Sequence, residues 1–170
     1  MDFTHVIQNR YSCRKFNENN ISDEVLERIL EAGRVAPTAR NLQEQRILVA
    51  RSKEALEKID RITPCRYNAP VVLVVCYDKD GTFTYPGGRK TGGDEDATIV
   101  ATHMMLAAYN EGVDSCWLNR LDPDEAKDIL ELPDNYEVVM LLDLGYAAEG
   151  GGPKDPHFSR KALDETVKFI

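Results

Sequence analysis

Cysteine and histidine are scarce in this chain. Its 170 residues hold four cysteines, Cys13, Cys65, Cys76 and Cys116, with no CxxC and no cysteine–histidine pair at zinc-site spacing. The three histidines, His5, His103 and His157, are equally dispersed. So few candidate ligands argue against a metal site, and scattered thiols fit a reducing compartment. No apolar run approaches the roughly 18 residues of a membrane span. The opening Met1-Asp2-Phe3-Thr4-His5 has neither the basic stretch nor the apolar core of a signal peptide. The chain therefore reads as cytoplasmic, with no membrane partner. Positive charge is also in deficit: 21 Lys and Arg against 29 Asp and Glu leave a net charge of −8. A nucleic-acid surface would normally be basic, so nucleic acid is not an expected partner. A small basic pocket for a phosphorylated ligand stays open. What is present is ordinary soluble composition, 42% apolar and 29% charged, at a length suited to one domain over residues 1–170.

Periodicity places the elements. Phe3, Val6 and Ile7 share a helical face. Ser22 caps a helix that repeats Val25, Leu26, Ile29 and Leu30 and ends before Pro37. A helix is predicted from Ser52 to Ile62, and another from Pro123 to Leu130. Strands are predicted at 46–50, 71–76 and 138–144, the last two apolar enough to be covered on both faces. The stretch from Asp94 to Glu111 reads as a helix almost free of charge after Asp96, hence buried nearly all round, which points to a subunit interface. The resulting order (helices, strand, helix, strand, two helices, strand, extended tail) is α+β and not the βαβ alternation of a Rossmann domain. The segment from Gly81 to Gly93 holds five glycines. It lacks phosphate-loop spacing and reads as a flexible flap or a surface loop.

Two segments carry chemistry. In Arg10-Tyr11-Ser12-Cys13-Arg14, an extended backbone would put Arg10, Ser12 and Arg14 on one face, two guanidinium forks around a hydroxyl. Such a group grips phosphate, although a solvated basic turn would read the same way. Ala36-Pro37-Thr38-Ala39-Arg40-Asn41-Leu42-Gln43 is a polar break between helix and strand. Its free backbone donors and the Asn41 amide could address a heteroaromatic ring.

Taken together these segments resemble the FMN-dependent nitroreductase family. The resemblance runs on through Tyr67-Asn68-Ala69-Pro70, the helix opened by Asp96, Ser115-Cys116-Trp117-Leu118, and Leu144-Gly145-Tyr146 with its tail to Lys161. It implies a nitroreductase-like α+β fold: a central mixed or antiparallel sheet flanked by helices, with a long buried helix at a homodimer interface. It also implies an oxidoreductase with FMN as cofactor and NADH or NADPH as co-substrate, reducing nitroaromatics, quinones or enones by a ping-pong hydride mechanism. A dehalogenase, a flavin-fragmenting enzyme and a non-catalytic flavin-binding protein are the alternatives within the same fold. The chemistry would belong to flavin N5, with no catalytic protein nucleophile. Cofactor binding would fall to Arg10, Tyr11 and Ser12, with Arg160 and Lys161 returning from the tail to the phosphate. Arg14 would tune the flavin at N1 and O2. Pro37, Thr38, Ala39 and Asn41 would come from the partner subunit, and Trp117, Leu118 and Asn119 would face the ring. Glu44-Gln45 stands where many relatives carry Pro-Trp, and Ala147 where many carry proline, which leaves the substrate open.

Overall fold

The computed structural model describes residues 1–170. Its four strands, β1 (Gln45–Ala50), β2 (Val71–Asp78), β3 (Asp114–Leu118) and β4 (Tyr136–Gly145), form one sheet in the order β1–β2–β4–β3. Every pairing between them is antiparallel. β2 and β4 are the central strands, which explains their largely apolar sequence: both faces are covered. On one face, α2 (Asp23–Arg34) and α4 (Gly93–Asn110) pack Ile29, Val100 and Met104 against Leu73, Val75, Met140 and Leu142. On the other, α3 (Lys53–Ile62), α5 (Pro123–Leu130) and the segment from Cys13 to Phe16 cover Val72, Val74 and Leu141. The short α1 (Phe3–Asn9) lies against α4, and α6 (Leu163–Thr166) sits in the tail.

Side-chain caps set the helix starts. Ser22 Oγ accepts from the Val25 amide at 3.4 Å, Ser52 Oγ from Ala55 at 3.2 Å, and Asp122 Oδ1 from Asp124 and Glu125. Gly33 lets α2 close on α4, because a Cβ there would stand 2.8 Å from Met104 Cγ.

The structure corrects one sequence expectation. A fourth strand, β3, lies between α4 and α5 where none was predicted. Gly112, at φ +77°, ends α4 in the left-handed region and turns the chain directly into it. The polar Asp114 and Ser115 hide its strand character from pattern reading. Within one chain α4 is covered only in part. Ala97, Val100, Ala101, Met104 and Ala108 face the core, while Thr98 and Ile99 are exposed, because the sheet covers only one side of the helix.

One residue sits against the logic of this core. Asp143 on β4 is fully buried, and neither carboxylate oxygen has a hydrogen-bond partner. Burial pushes its carboxyl up to about 9, against the partial relief of Arg66. Below about pH 4 the group is neutral both folded and unfolded, and contributes nothing to stability. From there to about pH 9 only the unfolded chain releases this proton, so stability falls as pH rises, by up to ~1.4 kcal/mol per pH unit. Asp143→Asn is expected to remove that slope. Denaturant unfolding at pH 5 and pH 8 checks it: the variant should gain on the natural chain at the higher pH, and an equal gap at both would refute a neutral Asp143.

Candidate functional site: a basic pocket beside the sheet edge

The segment after α1 belongs to no named strand but is held as one. Ser12 bridges Ser115 in parallel, the Cys13 amide donates to the Ser115 carbonyl at 2.8 Å, and Phe16 bridges Ala147. The amide of Asn17 donates to the Tyr146 carbonyl at 2.9 Å, and that of Ala148 to the Lys15 carbonyl at 2.9 Å. Cys13 and Phe16 thereby turn into the core, and Arg10, Ser12 and Arg14 turn out.

The tail returns to the same place. Its one-turn helix Asp155–Phe158 carries His157, with Lys154 as its N-cap and Arg160 just past its C-cap Ser159. With Arg10, Tyr11, Ser12, Arg14 and Pro156, the side chains of Lys154, His157 and Arg160 line a cavity of about 220 Å³. None of the four Arg and Lys side chains has a carboxylate within ion-pair distance, although ten ion pairs form elsewhere in the chain. Lys154 and Arg160 bond only to carbonyls of their own turn. The Tyr11 ring meets His157 edge-on, centroids 6.5 Å apart. Burial, together with the neighbouring Asp114, drives the Tyr11 phenol upward, so it stays a protonated donor. Four unpaired cations around hydroxyl donors form a receptor for a phosphate-like anion.

The other expected site residues lie elsewhere in the chain. Pro37, Thr38, Ala39 and Asn41 form the turn from α2 to β1, in which Arg40, Asn41 and Gln43 all have positive φ. Trp117 and Leu118 end β3; the Trp117 indole N–H donates to Asn119 Oδ1 at 2.6 Å, and Leu118 is buried. Lys161 is exposed and does not line the cavity. Lys154, Pro156 and His157 went unnoticed in the sequence, because only the fold brings the tail back beside Arg10. Residues 81–93, expected as a flap or loop, fold as a hairpin: Thr84 bridges Thr91, and Glu95 accepts from both Tyr85 and Lys90.

The four thiols are buried and unpaired with one another. Burial pushes Cys76 and Cys116 up to about 12 and raises Cys13, so these sulfurs remain protonated and unreactive. A thiol reagent such as Ellman's is expected to find no fast-reacting group in the native protein and four after denaturation. A fast native thiol would show that one of these cysteines opens to solvent.

Comparison with known proteins follows the same outline. A family model described as "Nitroreductase family" matches residues 7–66 and 64–146. A nitroreductase family protein of Clostridium difficile 630 is 36% identical, covers 99% of this chain and 98% of its own, and superposes with a TM-score of 0.93. A protein of Thermus thermophilus named NADH dehydrogenase is 28% identical over 85% of this chain and 86% of its own. A structure from Exiguobacterium sibiricum, solved in complex with FMN, shares the fold with a TM-score of 0.86 at 22% identity, covering 100% of this chain and 98% of that one.

Proposed function

The chain belongs to the nitroreductase family and is an oxidoreductase; we propose that it binds FMN, takes reducing equivalents from NADH or NADPH, and passes them to electron-poor acceptors such as nitroaromatics, quinones or enones. The observation that carries this reading is the basic pocket. In a protein of net charge −8, four cations without carboxylate partners converge on one cavity. That donor set fits the phosphate of FMN. Bound FMN would supply two-electron hydride chemistry in two separate half-reactions.

The chain's own part is placement and electrostatics. Arg10, Ser12, Lys154, His157 and Arg160 would hold the phosphate, with the Tyr11 ring walling the pocket beside His157. Arg14 lines the pocket and also lies close enough to Cys116 and Tyr67 to oppose their upward shifts. It would therefore serve the ring as well as the phosphate. Pro37, Thr38, Ala39 and Asn41, with Trp117, Leu118 and Asn119, would complete the ring's surroundings. The domain would span residues 1–170 and work in the cytoplasm, where buried free thiols are at home. No helix is long and apolar enough to cross a membrane.

Arg10→Ala is expected to weaken FMN binding by roughly 1.5–3 kcal/mol with the fold retained, the scale of a charge-assisted hydrogen bond. Riboflavin, which lacks the phosphate, should bind Arg10→Ala and the natural chain alike. Equilibrium dialysis of both ligands decides it, and unchanged FMN retention would count against the assignment. Arg14→Gln should lose less FMN but lower the two-electron midpoint potential by roughly 20–45 mV, the equivalent of 1–2 kcal/mol from a partly solvated charge. Spectroelectrochemical titration reads that shift.

We further infer a homodimer. The α4 sequence from Ala97 to Asn110 has no Asp, Glu, Lys or Arg. It leaves Ile99 exposed, and a groove of about 250 Å³ beside α1 is lined by Met1, Phe3, Val6, Leu106, Ala107 and Asn110. Phe169, 95% exposed in the tail, also lacks cover within one chain. Obligate interfaces of this apolar kind commonly bury more than about 2,000 Å². Sedimentation at micromolar concentration should give a dimer, and a stable monomer with flavin bound would overturn the assignment.

A further inference from the structure

The turn from Thr38 to Gln43 is built from backbone that most residues avoid. Arg40, Asn41 and Gln43 lie at φ 53°, 57° and 59°, with no glycine among them. Left-handed residues in such density persist only where the surroundings over-determine them. Local bonds give the turn its shape. The Asn41 amide donates to the Thr38 carbonyl at 3.0 Å, Leu42 to Ala39 at 3.1 Å, and Gln43 to Thr38 Oγ1 at 3.1 Å. The Gln43 side chain closes back on the Asn41 carbonyl at 3.0 Å.

None of these bonds fixes where the turn sits on the protein. A hydrogen bond from far along the chain does: the Ala39 amide donates to Asp96 Oδ1 at 2.9 Å across 57 residues. Asp96 is 8% exposed, on the first turn of α4, where its own amide donates to the Gly92 carbonyl at 2.9 Å. Its neighbour Glu95 holds Tyr85 and Lys90 of the hairpin, and the Arg40 guanidinium stands 5.3 Å over the Phe83 ring. The start of α4 thus braces two segments, through different acids.

We propose that Asp96 is the positioning residue of the cofactor turn: its buried carboxylate pins the Ala39 amide and so presents Thr38 and Asn41 in a binding-ready form. The inference rests on the reading that this turn touches FMN. A turn held in place before the ligand arrives spares binding the cost of ordering it. Asp96 acts through the backbone, and its charge is incidental, so an asparagine, whose Oδ1 accepts the same bond, should replace it.

The test is FMN affinity by fluorescence quenching, with the visible circular dichroism of bound flavin as a report on its surroundings. Asp96→Ala is expected to weaken FMN by at least about tenfold and alter the dichroism, and Asp96→Asn to stay within about threefold of the natural chain. Glu95→Ala removes an acid from the same helical turn and leaves the Ala39 bond, so it too should stay within about threefold. Should Asp96→Ala not fold, Ala39→Pro deletes the donor instead; Thr38 before it is already extended (φ −131°, ψ 159°), as a residue preceding proline must be. Ala39→Pro should then match the expected loss. Natural affinity in Asp96→Ala and Ala39→Pro overturns the role, as does an equal loss in Glu95→Ala. Asn41→Ala separates the two levels. If it weakens FMN while Asp96→Ala does not, only the positioning role falls; if it binds as the natural chain does, the reading of the turn falls too.

Discussion

A backbone segment outside any regular strand must still satisfy its amides and carbonyls, and here that requirement organises the site. Residues 12–17 find their partners on Ser115, Tyr67 and the stretch just after β4. Because those partners lie on the core sheet or continue directly from its strands, the segment is held beside it bond by bond. Along it Cys13 and Phe16 are drawn into the core, and Arg10, Ser12 and Arg14 are left lining the cavity. The pocket exists because the same residues that anchor the segment also aim it.

Electrostatics complete the arrangement. Most basic side chains on this acidic protein are engaged with carboxylates or scattered on the surface. Around the pocket Arg10, Arg14, Lys154 and Arg160 have no carboxylate within ion-pair distance. A dianion entering it trades water for a cluster of charge-assisted donors. The opposite case is Asp143, a carboxyl with no donor at all, which the core tolerates by keeping it protonated.

Much of this was legible in the sequence, and the failures have physical causes. Helix starts were readable because Ser22, Ser52 and Asp122 cap locally, within three residues of the amides they serve. The central strands were readable because burial on both faces makes their middles apolar, with Asp143 the exception. β3 was not, since Asp114 and Ser115 are spent on bonds to the Ala147 amide and to the motif segment, contacts that depend on tertiary structure. Three of the pocket's eight lining residues, Lys154, Pro156 and His157, escaped for a similar reason: only the fold brings the tail back beside Arg10. The tie between Asp96 and Ala39 has no local signature, being a single bond between distant residues.

The pocket draws on both early and late parts of the chain: Arg10 at one side, Arg160 at the other. The cavity therefore has all its donors only when both ends of the chain are in place. An anion seated there would act as a non-covalent clasp across nearly the whole sequence. It closes a long loop, where the entropic cost grows only slowly with length, and it favours the folded chain by mass action.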